Sequence, residues 1–445
     1  MVAPPGSPAS SLILGAERLL ARMVEVRPGE RRALVLSFLY FFALLCGYYV
    51  LRPVREEMGI AGGVRNLHWL FTATFLAMVV AVPIYGWVAA RWPRRVFLPV
   101  VYRFFAACLL VFLVLFQWDE AKPHVARAFF VWVSLFNLFI VSVFWSFMAD
   151  LYSSGQGKRL FGFIAAGGTI GALTGPAITA VFAVPLGPVP LLILSAALLE
   201  AATWCIRALL GEADKVRTEA SEAGAPSDER PIGGGMLAGV TLLLRSPYLL
   251  GIALYILLHT TASTILYFEQ AHIVSRTFTD AGERTRVFAL IDFSVNALTV
   301  LTQLFLTGRF VARAGVGWAA ALLPLVGAVG FLALALSPTL AVLAIFQVVR
   351  RAGDYAVSRP AREVFYTTVT QEERYKAKNV IDTLIYRGGD AAIAWAFEGL
   401  TAAGMGIAAI AAAAVPLALG WAALALGLGR GHERRIGAQP ASAPA

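Results

Sequence analysis

The feature that most constrains this sequence is a series of apolar runs, each long enough for a membrane helix, that continues along almost the whole chain. About 20 apolar residues in a helix cross the hydrocarbon core of a bilayer. Only 14% of the 445 residues are charged, whereas roughly a quarter are charged in soluble proteins. The sequence therefore predicts an all-α membrane protein with many transmembrane helices, and it excludes a soluble globular fold.

Twelve runs qualify as membrane spans. We place them at approximately 33–54, 67–90, 96–116, 126–150, 160–183, 188–210, 247–268, 287–309, 317–336, 339–363, 378–402 and 405–428. The tenth is long for one crossing, so we expect it to tilt or to extend beyond the membrane.

The stretch between spans six and seven differs from the rest of the chain. Residues 211–235 carry charges of both signs together with Gly, Pro and Ser, and they show no apolar periodicity. We therefore predict two six-helix halves, at 33–210 and 247–428, joined by a cytoplasmic linker at 211–246. The flanks are a cytoplasmic segment at 1–32, with a short amphipathic helix from Leu14 to Val24, and a disordered cytoplasmic tail at 429–445.

The basic residues indicate orientation rather than nucleic-acid binding. The formal net charge is +10, but most of the basic residues fall in short loops between apolar runs. They follow spans two, four, eight and twelve, at Arg91, Arg94, Arg95, Lys158, Arg159, Arg309, Arg313, Arg430, Arg434 and Arg435. The positive-inside rule then places both termini in the cytoplasm. We expect a multi-pass protein of the bacterial inner membrane, without a cleavable signal peptide and without a nucleic-acid partner.

No soluble-enzyme motif occurs in the sequence. It contains no H-E-x-x-H, no Walker A loop and no G-x-S-x-G elbow. The three cysteines lie inside apolar runs at no metal-ligand spacing, which is typical of packing residues. We therefore predict no enzymatic activity, no cofactor and no metal site. Any transport step would draw on a gradient or on exchange, because the chain has no ATP-hydrolysing motif.

The two halves share a loop signature. Residues 86–91 and 308–313 both read G-x-x-x-A-R, and they lie at equivalent places after spans two and eight. Two parallel six-helix repeats with this signature resemble the major facilitator superfamily. That resemblance implies that spans one, four, seven and ten line a central cavity.

Charged and aromatic residues lie on single helix faces of these spans. On span one, Tyr48, Arg52 and Arg55 share a face. Span ten carries a similar stripe, which consists of Arg351, Tyr355, Arg359 and Arg362, and span eleven adds Lys378, Asp382 and Tyr386. Cations beside aromatic rings suit an anionic substrate with a flat, stackable part. Alternatives remain: Arg52 and Arg55 could snorkel and pair with Glu56 or Glu57, and Arg359 and Arg362 could be cytoplasmic anchors.

Acidic residues and one histidine inside the spans are candidates for ion pairing or proton coupling. These candidates are Asp150, His259, Glu269, Asp292, Asp354 and Asp382. Arg350 and Asp354 are at ion-pair spacing, so a structural pair is one interpretation. We interpret His259 as a packing residue and Asp292 as an ion-pair or coupling residue.

Span five contains a ridge of glycines, Gly167, Gly171 and Gly175, followed by Pro176. Such a ridge allows a neighbouring helix to approach closely. It also resembles the glycine-proline motif of major facilitator antiporters, and packing explains it equally well.

Four segments resemble the ATP/ADP translocase family of bacterial parasites and plastids. They are YYVLRPVRE at 48–56, FWSFMAD at 144–150, DYAVSRPARE at 354–363 and KAKNVID at 376–382. The resemblance implies nucleotide exchange, with Arg55 and Lys378 at positions where the family has functional lysines. The chain departs from the family pattern at Arg55 and Arg362, which replace lysines, at Arg359, which replaces an aspartate, and at Asp354, which replaces a lysine.

The sequence therefore predicts a monomeric secondary transporter of a small organic anion, with ATP and ADP as the implied cargo, working by alternating access. Two alternatives stay open. One is a proton-coupled carrier of another solute that uses Asp292 or Glu269. The other is a membrane protein that transports nothing and serves as a partner subunit.

Overall fold

The computed structural model describes residues 26–27, 29–220, 236–370, 373, 377–378 and 380–438. Within these residues all regular structure is helical, and ten helices are long and apolar enough to cross a membrane. The predicted all-α membrane fold is therefore confirmed. The amphipathic helix predicted from Leu14 to Val24 lies outside the described residues.

The six spans of the N-terminal half are uninterrupted α-helices. They are Glu30–Ala61, Leu67–Arg91, Arg94–Leu115, Lys122–Leu151, Ser154–Leu186 and Leu191–Ala220. Span five begins with a capping box: the Ser153 hydroxyl accepts a hydrogen bond from Gln156 N, and the Gln156 side chain accepts one from Ser153 N.

The spans of the C-terminal half are less regular. A short helix, Met236–Arg245, precedes span seven at Pro247–Thr277. Span eight begins with Ala281–Thr302 and continues through a π-helical turn, Gln303–Thr307, into helix Gly308–Leu336. That helix is divided at Gly315, whose φ of 77° suits glycine and marks the passage from span eight to span nine.

Spans ten and eleven contain π-helical turns. Span ten consists of Leu340–Gly353, a π-helical turn at Asp354–Ser358, and Arg359–Phe365. Span eleven includes the π-helical turn Ile381–Ile385 and helix Tyr386–Ala402, and span twelve is Ile407–Ala438. These two interrupted spans complete the predicted set of twelve, although neither is among the ten helices that qualify by uninterrupted length.

Two predicted irregular regions are partly helical. The predicted linker at 211–246 begins with the last turns of span six, which runs to Ala220, and ends with helix Met236–Arg245. Disorder over the whole of 429–445 is wrong, because span twelve continues to Ala438. Contacts explain the ordered part: the Arg435 guanidinium lies 4.4 Å from the centre of the Tyr248 ring, and His432 is buried beside Thr368. The remaining tail residues, 439–445, lie outside the described residues.

The glycine ridge of span five packs directly against the backbone of span one. A Cβ atom on Gly171 would lie 2.5 Å from Phe42 O, and one on Gly175 would lie 2.6 Å from Cys46 O. Contacts this short are possible only for glycine, so the close approach predicted for this ridge is confirmed.

Side-chain contacts join the two halves at one face of the bundle. We call this the distal face; the opposite, terminal face carries the start of span one and the end of span twelve. At the distal face, Glu57 at the end of span one accepts two hydrogen bonds from Arg284 at the start of span eight, at 2.6 and 2.7 Å. Trp395 of span eleven packs on His68 and donates to Thr72, both of span two. Apolar cores fill the interior of each half.

Candidate functional site

A cavity of about 580 Å³ lies between the two halves. Its lining comes from spans one, two, four, five, eight, ten and eleven, and it includes four arginines, three tyrosines and three carboxamides. These residues are Arg52, Arg55, Arg359, Arg387, Tyr48, Tyr49, Tyr355, Asn137, Asn296 and Gln303. Among the described residues, no carboxylate lines this cavity. It reaches along span one from Arg55 to Phe41, about 21 Å at 1.5 Å per residue, towards the terminal face.

Span one presents three of the predicted residues to this cavity. Tyr48, Arg52 and Arg55 all line it, as expected from their shared helix face. The Arg55 guanidinium lies 4.0 Å from the centre of the Phe130 ring and donates to Ser134 at 3.0 Å and to Glu56 at 2.9 Å. The alternative that Arg55 pairs with Glu56 is therefore confirmed, and the pair stands at the cavity wall.

Span ten contributes Tyr355 and Arg359. The Arg359 guanidinium lies 4.4 Å from the centre of the Tyr355 ring and donates to Asp354 at 3.1 Å. The alternative interpretation, in which Arg350 pairs with Asp354, is wrong. Asp354 opens a π-helical turn, in which residues five apart come into register, so its carboxylate meets Arg359.

A second, smaller cavity of about 210 Å³ adjoins the first and shares Arg52, Arg55, Tyr355, Arg359 and Arg387 with it. It is the more highly charged of the two. In addition to the shared arginines, its lining includes Arg350, Arg351, Glu56, Asp292, Asp354 and Asp390.

Asp292 links the two halves at the centre of the site. Its carboxylate lies 2.7 Å from Arg351 Nη1 and 3.6 Å from Arg52 Nε, and it is 3% exposed. Span eight thus joins span one of the N-terminal half to span ten. The alternative that Arg52 pairs with Glu56 or Glu57 is wrong, because Asp292 faces Arg52 and Glu57 is engaged by Arg284.

His259 lies between aromatic rings at the edge of the small cavity. Its ring centre is 6.0 Å from that of Tyr386 and 5.7 Å from that of Trp421, and the side chain is buried. Glu269, also of span seven, is fully buried outside both cavities, and neither carboxylate oxygen has a hydrogen-bond partner among the described residues.

Besides Glu269, four of the predicted residues line neither cavity: Arg362, Lys378, Asp150 and Asp382. The Lys378 ammonium group instead lies 2.5 Å from the Glu363 carboxylate and 5.6 Å from the centre of the Tyr366 ring. Asp150 and Asp382 are exposed. Helical spacing placed Arg362 on the same stripe as Tyr355, but the π-helical turn rotates the end of span ten relative to its beginning.

Several residues of the site were missing from the sequence prediction. Arg387 and Asp390 lie three residues apart inside span eleven. A charged residue within a membrane helix is itself a signal of a functional position, so the sequence could have identified both. The pair of Glu57 and Arg284 has no such local signal, because its members are separated by 227 positions along the chain.

No protein-family model and no curated protein sequence matches this chain. The structure, however, matches solved membrane transporters over almost their full length. A bacterial homologue of the human lysosomal transporter Spinster, in an inward-facing and unoccupied conformation, is 16% identical with a TM-score of 0.58, covering 92% of this chain and 99% of that one. The nucleoside transporter NupG is 14% identical with a TM-score of 0.58, covering 93% of this chain and 100% of that one.

A bacterial homologue of the iron transporter ferroportin, in an inward-facing state, is 12% identical with a TM-score of 0.60, covering 91% of this chain and 98% of that one. Together with the helix order, these matches define a major-facilitator-like membrane fold. At these identities the likeness concerns the fold alone, and the cargoes in the neighbours' names differ from one another. The cargo of this chain has to be argued from its own cavity.

Proposed function

We propose that this protein is a secondary transporter of an organic anion of the nucleotide class, working by exchange and alternating access. The observation that carries the proposal is the lining of the large cavity. It combines four arginines with three tyrosines, and no carboxylate among the described residues lines it. Guanidinium groups bind phosphate and carboxylate oxygens, and tyrosine rings pack against a flat organic body.

The size of the cavity is compatible with this class. At about 580 Å³, it falls within the range of roughly 300–1,000 Å³ that is common for small-molecule sites. The resemblance of span one and span ten to ATP/ADP translocases adds support for nucleotides over other organic anions. Arg55, which replaces a lysine of that pattern and lines the cavity, keeps the charge and offers a planar fork for phosphate oxygens.

The arrangement of the halves supports one conformation in the transport cycle. The Glu57–Arg284 pair and the Trp395 cluster join the halves at the distal face, and the large cavity extends the other way. With both termini in the cytoplasm, as the positive-inside rule indicates, this is an inward-facing state in the bacterial inner membrane.

Uptake into proteoliposomes tests the proposal. Labelled ATP, ADP and AMP are offered outside vesicles that contain ADP or no nucleotide. We expect uptake that depends on internal nucleotide and that continues when a proton ionophore is present. Binding of other anions without exchange of any nucleotide would overturn the nucleotide proposal. Absence of transport for every solute, with changes only in assembly, would favour a partner subunit instead.

A proton-coupled carrier is the second candidate, and Glu269 favours it. A fully buried carboxylate without a hydrogen-bond partner among the described residues is typical of proton-relay positions in membrane helices. In that case the ionophore abolishes uptake, and Glu269→Gln retains exchange but loses accumulation against a gradient.

A further inference from the structure

The small cavity holds more positive than negative charge. Among the described residues, six arginines and four carboxylates line it, so two positive formal charges are in excess. Three arginines have a carboxylate of their own: Arg55 with Glu56, Arg359 with Asp354, and Arg387 with Asp390 at 3.7 Å. Arg52 and Arg351 share Asp292. The sixth, Arg350, has no carboxylate within ion-pair distance among the residues that the structure describes.

Arg350 is also short of hydrogen-bond acceptors. It is 5% exposed, and its Nη2 atom donates to Ser263 at 3.4 Å. Its Nε and Nη1 atoms, and the Nη2 atom of the adjacent Arg351, have no acceptor within the described part of the chain. Both residues line the cavity of about 210 Å³, so two of its guanidinium groups have buried N–H donors without an acceptor among the described residues.

Such an arrangement is unfavourable unless something else completes it. An unpaired charge in the interior of a membrane protein is strongly destabilising, and each unsatisfied buried donor adds to that cost. Water can accept the hydrogen bonds, but it leaves the excess charge in place. An oxyanion accepts the hydrogen bonds and balances the charge at once.

The contacts of the neighbouring residues do not satisfy these donors. Asp292 engages Arg351 through Nη1, so Nη2 stays available without breaking the link between the halves. Gln347, one turn before Arg350 and Arg351, donates its amide N–H to Gln270 at 2.7 Å, and its carbonyl oxygen accepts no hydrogen bond from these arginines. The large cavity lies beside the small one, with Tyr355 and Arg359 in the wall of both.

We propose that the small cavity is an oxyanion subsite, in which Arg350 and Arg351 bind one phosphate or carboxylate group of the substrate. The organic body of the same substrate then lies in the large cavity against Tyr48, Tyr49 and Tyr355. This inference rests on the proposed transport of an organic anion and specifies which arginines hold its charged end.

Binding to the purified full-length protein in nanodiscs tests the subsite. Adenosine and AMP are the probes, because they share a body and differ by one phosphate group. Arg350→Gln should weaken AMP binding at least about tenfold in Kd, since it removes a charged partner of the phosphate. The same change should leave the Kd for adenosine within about twofold of the wild-type value. In the wild type, inorganic phosphate should displace AMP but not adenosine.

Two further variants keep the test decisive. Arg350→Lys retains the positive charge but loses the planar fork, so AMP binding should still weaken by several-fold. Arg103→Gln is the matched control, because Arg103 forms an exposed pair with Glu200 far from both cavities, and it should bind both probes like the wild type. Elution profiles of all variants show whether they fold.

The outcomes separate the two proposals. Unchanged AMP binding in folded Arg350→Gln or Arg350→Lys overturns the subsite and leaves organic-anion transport standing. If neither probe binds the wild type, but phosphate stabilises it in a way that depends on Arg350, the nucleotide proposal is overturned and the subsite stands. If neither nucleotide nor phosphate binds, both are overturned.

Discussion

The N-terminal half consists of six uninterrupted helices. Among its described residues, the charged side chains that line the two cavities all come from span one. In the C-terminal half, spans eight, ten and eleven each contain a π-helical turn and each contribute charged residues. Three of the four carboxylates and four of the six arginines of the small cavity come from this half. The N-terminal half supplies Tyr48, Tyr49 and Asn137 in addition to the charged residues of span one.

The two halves therefore differ in helix regularity and in the number of charged residues that they bring to the cavities. Regular helices pack closely, as span five does against span one through its glycines, and they form a rigid side of the cavity. A π-helical turn shifts side chains out of register with the rest of the helix, and such turns are frequent at functional sites. Under the proposed function, the C-terminal half supplies most of the charged groups around the substrate, and Tyr48 and Tyr49 of the N-terminal half contact its body together with Tyr355.

Removal of the carboxylate of Asp292 should have the largest effect, because this residue connects the two halves. Asp292→Asn leaves Arg52 and Arg351 buried without their common partner, and we expect a loss of about 3–5 kcal/mol in the free energy of unfolding. Denaturant unfolding in detergent measures it. The double variant Asp292→Asn/Arg351→Gln should recover part of the loss. A free energy of unfolding that Asp292→Asn leaves unchanged would show that the link is not energetically important.

Weakening the distal contact should change conformation more than stability. Glu57→Gln removes the charge of the carboxylate that Arg284 donates to twice, and we expect about 2 kcal/mol less stabilisation of the closed distal face. That is roughly a 30-fold change in the ratio of closed to open states. Spin labels at positions 65 and 401, which flank a cavity between the halves at this face, report it as a distance distribution.

The labelling experiment uses a background in which Cys46, Cys108 and Cys205 are replaced by alanine. Exchanging the charges, as Glu57→Arg with Arg284→Glu, should restore the short distances. A distribution unaffected by Glu57→Gln would show that the aromatic contacts of Trp395 close this face without the ion pair.

A substitution at Gly171 tests the close packing of span five against span one in the N-terminal half. Gly171→Ala places a methyl group 2.5 Å from Phe42 O, so spans one and five have to separate. We expect a net loss of roughly 1–2 kcal/mol in the free energy of unfolding, as for other overpacked contacts. Gly162→Ala, in the same span with no atom within 4 Å of the new Cβ, is the control and should change stability by less than about 1 kcal/mol. Similar stabilities for the two variants would contradict the close packing.

Lys378→Gln should have the smallest effect. The family resemblance implies a functional role for Lys378, but in this structure its partner is Glu363 and it lines neither cavity. Partly exposed pairs contribute about 0–1 kcal/mol, so we expect nucleotide exchange within about threefold of the wild type. A complete loss of exchange would show that span eleven moves Lys378 into the pathway in another state of the cycle.

The sequence predicted the helical content and the faces of single helices well. Tyr48, Arg52 and Arg55 line one cavity because three and four residues make about one turn, and the same rule governs any regular helix. Regular helical spacing does not hold at the π-helical turn of span ten. There Asp354 pairs with Arg359 rather than with Arg350, and Arg362 no longer lies on the same helix face as Tyr355. The sequence also missed Glu57 with Arg284, since a contact between distant spans depends on how the helices tilt and rotate.

By itself, the sequence determined the number and the order of the spans, and the presence of cations at membrane depth. These follow from the length of a bilayer-spanning helix and from the cost of burying charge. Only the tertiary structure decided which charges are balanced. Asp292 is shared between Arg52 and Arg351, and Arg350 is left with unpartnered donors among the described residues. Pairing of this kind is set by distances of a few ångströms between helices, which the local pattern of a sequence does not contain.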